Sequence, residues 1–214
     1  MRIFKVKHFV DSIERLAWAK ANGCPWEVNT CAAVARHGYL DVLQWAHLEK
    51  GCPWNASTCM WAAQVGDIEM LKWVREHDCP WDSMTCSHAA CGGHLKILKY
   101  AREHGCPWNT DTCALAALNG DLHILKWARE HSCPWNAHIC ALAAMKGHLH
   151  ILKWAREHDA PWDIRTCIYA TRYGHLEMLR WARGHGAPWN AVTRDWAATK
   201  GYTDDLPLGP QIPL

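Results

Sequence analysis

Hydrophobic and polar positions in this chain follow a helical pattern that begins and ends at clear local signals. Between Asn109 and Gly120, the residues Cys113, Ala116 and Ala117 fall on one narrow face at roughly 100° per residue. Asn109 is a favourable N-cap, and Gly120 stands where a helix is followed by a left-handed residue. The segment therefore predicts a helix of about ten residues with one face of small side chains, which permits close packing.

A second helical pattern follows directly and is more hydrophobic. It opens at Asp121 and ends before Cys133 and Pro134, because Pro disfavours helical geometry in the residue before it. Polar side chains occupy a narrow arc, and the rest of the circumference is apolar: Leu122, Ile124, Leu125, Trp127 and Ala128. The pattern predicts a helix buried between neighbours, with Trp127 on its packed side. No part of this stretch has the alternation of a strand.

The two-helix pattern is one unit of a repeat. Pro-Trp recurs seven times, with a spacing of 28 residues and then of 27, at Trp26, Trp54, Trp81, Trp108, Trp135, Trp162 and Trp189. We predict an all-α, helix-turn-helix solenoid forming a single array over residues 1–202. It would comprise a half repeat at 10–26, six full repeats between 27 and 189, and a half repeat at 190–201. A Pro-rich tail at 203–214 would follow, in which Pro207 and Pro210 exclude a regular helix.

Composition and charge narrow the functions that this array could serve. The chain has 15 Trp and 2 Phe, as a recurring packed position would require. With 23 Lys and Arg against 21 Asp and Glu, the net charge of +2 argues against nucleic acid or an acidic membrane as partner. Neither a secretory signal nor a membrane span is expected, which favours an intracellular, cytoplasmic protein, with nuclear or host-cell placement left open.

Two columns of cysteines, seven residues apart within each repeat, invite a metal or redox interpretation. Zinc sites or disulfides would require both members of a pair to persist, yet Ala160 replaces the first member while Cys167 remains. We therefore interpret the columns as small buried apolar residues. A His at the end of each second helix suits the exposed carbonyls there. No nucleophile and base, phosphate loop or cofactor fingerprint is present, so neither an enzyme nor a cofactor is expected.

The run from Ala116 to Lys126 resembles the Ala-Ala-x-x-Gly-His-Leu-Glu-Val-Val-Lys core of ankyrin repeats, and Gly147-His148-Leu149 matches it more closely. The resemblance covers nearly all of residues 11–201. The period is 27 residues rather than about 33, and Cys133-Pro134-Trp135 replaces the segment that leads into a β-hairpin. The resemblance thus implies an ankyrin-like array with reduced or absent hairpins. It is similar to the short, Trp-rich arrays of protists, algae and giant viruses.

In ankyrin arrays, the residues before the Gly line a concave surface that touches partners. The corresponding positions here differ between repeats, as does a third column on the same side of the first helix. These columns supply the candidate binding residues Arg36, His37, Trp61, Gln64, His88, Leu118, Asn119, Met145, Lys146, Tyr169, Arg172 and Tyr173.

The expected function is a scaffold that binds an unidentified partner protein through this surface, with no nucleic acid, membrane or small-molecule substrate. Two alternatives remain open. One is a metal- or redox-responsive protein that uses Cys and His. The other is a decaying fragment of a longer array.

Overall fold

The computed structural model describes residues 9–202, which divide into two compact units between Trp108 and Asn109. The predicted tail at 203–214 lies outside the described residues. The first unit contains α1 (Ile13–Ala21), α2 (Val28–Arg36), α3 (Leu40–Gln44), α4 (Ala56–Val65), α5 (Ile68–Glu76), α6 (Ser83–Cys91) and α7 (Leu95–Glu103). The second contains α8 (Thr110–Asn119), α9 (Leu122–Glu130), α10 (His138–Lys146), α11 (Leu149–Glu157), α12 (Ile164–Tyr173), α13 (Leu176–Gly184) and α14 (Ala191–Thr199). Within residues 9–202 there is no strand, so the predicted all-α fold without β-hairpins is confirmed.

The first helices begin and end at the N-cap and Gly residues that the sequence predicted. The Asn109 side chain accepts a hydrogen bond from the Asp111 backbone N–H at 3.0 Å, and Gly120 ends α8 at φ +81°. In the repeat that starts at Asn136, the helix begins one residue later, at His138. The Asn136 side chain still accepts a hydrogen bond from the His138 backbone N–H. Because the caps are local interactions, the bounds of each helix follow from residues within a few positions of its ends.

Each unit is a stack of helix pairs. The first helices pack on the first helices of neighbouring repeats, as α2, α4 and α6 do in one unit and α8, α10, α12 and α14 in the other. The second helix packs on the first helix of its own repeat, as α9 does on α8. Cys113, Ala116 and Ala117 are fully buried, as are Ile124 and Leu125. The predicted small-residue face therefore lies in the core.

The Trp column of the second helices is less buried than the sequence suggested. Trp127, Trp154 and Trp181 are half-buried, and Trp18 keeps 49% of its surface exposed. The fully buried positions are instead the aliphatic pair and the following Ala, which face α8 and its neighbours. The indole is too large for that close contact, so it lies at the edge of the helix pair, where its apolar ring is covered only in part.

The one repeat of 28 residues accommodates its extra residue within a helix. Helix α3 continues as a π-helical turn over Trp45–Glu49. A π turn holds one residue more than an α turn, so the insertion is absorbed without displacing the Pro-Trp that follows. His47 then occupies the place that Arg holds in later repeats, with its Nδ1 3.1 Å from the Cys52 carbonyl oxygen and its ring stacked on Trp54.

Candidate binding surface on the first helices

In the first unit, four of the candidate residues form one connected cluster on α2, α4 and α6. The Arg36 guanidinium lies 4.6 Å from the centre of the Trp61 ring, a cation–π contact. Trp61 meets the His88 ring edge-on at 6.0 Å, and His88 Nδ1 lies 2.9 Å from Gln64 Oε1. Burial lowers the pKa of His88, and the Asp82 carboxylate opposes that shift only in part. His37 is exposed and stacks on Tyr39, apart from the cluster.

This aromatic and basic cluster has the composition of a binding hot spot. Arg36 is exposed, whereas Trp61, Gln64 and His88 are half-buried. Each side chain is held by another, so the cluster loses little conformational freedom when a partner binds. Trp and Arg are also the residue types that contribute most to association free energy.

In the second unit, the candidate residues are arranged in two smaller groups. Tyr169 and Tyr173 lie 6.3 Å apart, and the Arg172 guanidinium lies over the Tyr173 ring at 5.8 Å. Tyr173 is 48% exposed. Asn119 and Lys146 are exposed and Leu118 and Met145 half-buried, so these four positions offer a more aliphatic surface. The structure thus places the candidate residues at or near the surface, but it does not gather them into one site.

The backbone beneath this surface is tied to the next repeat by a column of histidines. His94 Nε2 lies 3.1 Å from the Gln64 carbonyl oxygen, and His148 Nε2 lies 3.2 Å from that of Leu118. A carbonyl can only accept, so Nε2 carries the proton in each ring. Where Asp replaces this His, as in Asp121, its carboxylate caps its own helix at the N–H of Ile124 instead. Each such His therefore holds the variable residues of the repeat that precedes its own.

Sequence reasoning missed a regular row of indoles on the second-helix side. In several repeats the Trp of Pro-Trp meets the helical Trp of the next repeat, as Trp135 meets Trp154 with ring centres 6.0 Å apart. Arg129 lies 4.0 Å over the Trp135 ring and donates to the Cys133 carbonyl. His158 stacks on Trp154 and donates from Nδ1 to its carbonyl at 2.8 Å. The signal that could have found this row is the constant spacing of Arg six residues before the Trp in the five later Pro-Trp pairs.

The cysteines are free thiols in contact with one another across the repeat. The partners are Cys31 with Cys52, Cys59 with Cys79, Cys86 with Cys106 and Cys113 with Cys133. The partners are thus 20 or 21 residues apart rather than seven, because the chain folds back through the second helix. Ala160 and Ala187, 20 residues after Cys140 and Cys167, take the partner positions in the last two repeats. All four pairs are free thiols, and they are buried.

Hydrogen bonding between paired thiols sets their ionisation. The contact with Cys52, followed by burial, raises the pKa of Cys31, and the same contact lowers that of Cys52. Burial is the main cause that raises the pKa of Cys140 and of Cys167 to about 12, against the opposing charges of Arg156 and Arg183. Over residues 9–202, no group of three or more His, Cys, Asp or Glu side chains is arranged to hold a metal ion.

This fold of stacked helix pairs defines a helical-repeat protein, and solved structures share it. The pentatricopeptide repeat protein PPR10 in complex with an 18-nt psaJ RNA element matches with a TM-score of 0.52 and 12% identity. The match covers 89% of this chain and 34% of that one, and a variant of the same complex with three Cys-to-Ser substitutions gives equal values. The chain therefore spans about a third of the length of these structures. No curated protein matches the sequence.

The family is indicated by the second unit, in which residues 140–182 match the family described as ankyrin repeats (many copies). This segment contains α10 to α13 almost entirely. The predicted resemblance to ankyrin repeats is thereby confirmed. Ankyrin and other helical-repeat proteins are generally scaffolds for binding rather than enzymes. No helix within residues 9–202 has the length and apolar character needed to cross a membrane.

The prediction that excluded nucleic acid as a partner is wrong. It was based on the net charge of +2, but the two PPR10 structures that share this fold are complexes with RNA. Binding depends on the local distribution of charge and aromatic rings rather than on the total charge. Arg36 beside Trp61, and Arg172 beside Tyr173, are local arrangements that a sum over the chain cannot reveal.

Proposed function

We propose that the protein is a repeat scaffold that binds a partner protein through the outward side of its first helices. The observation that carries this proposal is the cluster of Arg36, Trp61, Gln64 and His88. In the second unit, Leu118 and Leu115 occupy the repeat positions of Arg36 and Trp61, while the packed positions stay constant. Repeats that keep their core and vary their surface are expected where each repeat contacts a different part of a partner.

RNA is a second candidate ligand. The fold shared with the RNA-bound pentatricopeptide structures favours it, as does the presence of aromatic rings beside basic side chains on this surface. Single-stranded RNA binds such surfaces by stacking its bases on aromatic rings and pairing its phosphates with Arg or Lys. The protein partner is preferred because the cluster also contains the half-buried Gln64 and His88, which bond to each other.

The test is affinity capture from the cells that make this protein, with and without ribonuclease. The variant R36Q/W61L replaces each residue by the one found at the equivalent position of another repeat, Gln64 for Arg36 and Leu115 for Trp61. The helices should therefore keep their packing. The control K96Q removes one exposed positive charge from the second helix α7. Circular dichroism should give matching melting curves for all three chains.

We expect the wild type and K96Q to capture the same partner protein. R36Q/W61L should reduce the captured amount about tenfold or more, and ribonuclease should leave the capture unchanged. Capture that depends on RNA would replace the protein partner by RNA. An unchanged yield with R36Q/W61L would show that this surface is not the binding site.

A further inference from the structure

On the second-helix side of the second unit, a groove of about 860 Å³ runs between α9 and α11. Its lining consists of Lys126, Arg129, Glu130, Trp135, Trp154, Glu157, His158 and Asp159. The volume is that of a site for a small ligand or a few side chains. The groove lies on helices other than those that carry the proposed first-helix surface, so its occupancy does not depend on that proposal.

The floor of the groove is aromatic and already organised. Trp135 and Trp154 are half-buried and meet at an interplanar angle of 69°. Arg129 holds Trp135 from one side, and His158 stacks on Trp154. Both rings are thus fixed before a ligand arrives, which lowers the entropy cost of binding. The electron-rich faces and apolar bodies of indoles favour cationic side chains with an apolar stem.

The rim of the groove carries more acidic than basic side chains. Glu130, Glu157 and Asp159 are exposed, and their carboxylates are in none of the ion pairs found among the described residues. Lys126 and Arg129 oppose these three carboxylates, so the lining has a formal charge of −1 with His neutral, and Arg129 is already held at the Cys133 carbonyl and over the Trp135 ring. A basic ligand would therefore complement this rim, whereas an RNA phosphate would be repelled.

We propose that this groove docks a Lys- or Arg-bearing extended segment of a partner protein. The aliphatic stem of the basic residue would lie along Trp135 and Trp154, and its charged end would reach Glu130, Glu157 and Asp159. The contact is electrostatic and aromatic, and it recognises a side-chain type rather than a long sequence. In the last repeat, Gly184 and Gly186 stand in place of Glu157 and Asp159, so α11 and α13 do not repeat this acidic rim.

The experiment measures fluorescence anisotropy of a labelled nine-residue peptide in which three Lys alternate with Gly and Ser, using the full chain. An Arg version and a Glu version of the peptide serve as further probes. The test variant is E130Q/E157Q/D159N. The control E76Q/E103Q/D78N removes the same three charges from the first unit, where Asp78 occupies a left-handed turn like that of Asp159. All substitutions are at exposed positions and should leave the melting temperature unchanged.

We expect saturable binding of the Lys and Arg peptides, none of the Glu peptide, and binding about tenfold weaker for the test variant. The control should change binding less than twofold, and R36Q/W61L should leave it unchanged. Equal weakening by test and control variants would show that the peptide responds only to overall charge and would overturn the proposal. Absence of saturable binding by either basic peptide would do the same, without bearing on the first-helix surface.

Discussion

At the scale of single residues, cysteine contributes both volume and weak hydrogen bonds to this repeat. The Cys106 thiol lies 3.3 Å from the carbonyl oxygen of Asp82, the N-cap of the first helix in the same repeat, and Cys133 lies 3.5 Å from that of Asn109. A thiol is small enough for the close contact between helices and can still donate to a backbone oxygen there. Ala160 and Ala187, which stand at this position in the last two repeats, keep the small volume but lack the donor.

The burial of the thiols predicts their reactivity. Of the 12 cysteines, 11 are buried and only Cys91 is half-buried. We expect one thiol to react rapidly with a maleimide in the native protein, because alkylation requires an accessible thiolate. Mass spectrometry of the labelled peptides should place it at Cys91, and C91S should remove the fast phase. Rapid labelling at a second site in C91S would contradict the burial described here.

Alkaline pH should destabilise the fold through Cys140 and Cys167. Burial raises the pKa of each from 9.0 to about 12, so the unfolded chain loses these protons first. The stabilising effect of burial is therefore complete below pH 9 and is lost between pH 9 and pH 12. Each thiol should lower the free energy of unfolding by about 1.4 kcal/mol per pH unit in that window. Urea unfolding at pH 8 to 10.5 measures the slope.

The variant C140A/C167A is the control for this pH dependence. Lysine and tyrosine ionise in both proteins, so the difference in slope isolates the two thiols. The slope should become shallower in the variant even if its stability at pH 8 is lower because of the missing sulfur atoms. Parallel slopes above pH 9 would show that these thiols ionise equally in the folded and unfolded chain.

At the scale of helices, the turn between the two helices of a repeat is fixed by a glycine and a histidine together. A Cβ atom at Gly147 would lie 2.7 Å from the His175 ring, whereas a Cβ at Gly174 would meet only the Tyr202 hydroxyl at 3.5 Å. Both glycines have left-handed φ angles, +76° and +81°. The two positions therefore share one backbone requirement but differ in the space above it.

Alanine substitution should separate these two effects. We expect G174A to cost about 1 kcal/mol for the left-handed conformation alone, and G147A to cost about 1 kcal/mol more. The additional cost comes from displacing the His175 ring, whose Nε2 lies 3.3 Å from the Met145 carbonyl oxygen. Chemical denaturation of both variants gives the comparison. Adding H175A to G147A should remove the steric part, and equal losses for the two single variants would contradict the argument.

The helix bounds were predictable because their signals are local, and the contacts between repeats were not. Asn109 and Gly120 act on the backbone within a few residues, so their roles follow from the sequence. The thiol partners are 20 or 21 residues apart, and since both cysteine columns share one period, any offset between them fits the sequence equally well. The prediction that excluded nucleic acid failed for a related reason, because the net charge of a chain does not say where its charges lie.

At the scale of the whole molecule, each unit is stabilised by contacts between neighbouring repeats, so its repeats need not be equally stable. In α14, Thr193 and Ala197 are buried, while Val192 and Trp196 are 52% and 45% exposed. In α10, by contrast, five residues are buried. Within the second unit, protection should therefore decrease from α10 to α14.

Native-state hydrogen exchange measures this gradient directly. We expect the amides of α14 to exchange faster than those of α10, because fewer apolar contacts oppose local opening. A chain ending at Gly186 should retain the exchange rates of α10. If residues 187–201 exchange as slowly as α10, and their removal strongly destabilises α10, then the C-terminal repeat is properly capped and the expectation is wrong.

The indole pairs also give the protein an optical property. Trp26 meets Trp45 and Trp54 meets Trp73 in the first unit, while Trp135 meets Trp154 and Trp162 meets Trp181 in the second. Their ring centres are 5.8 to 6.2 Å apart at angles of 67° to 77°. Chromophores this close couple their transition dipoles, and the sign of the coupling depends on their mutual orientation. Each of these four pairs is thus a chiroptical reporter of the register between two neighbouring repeats.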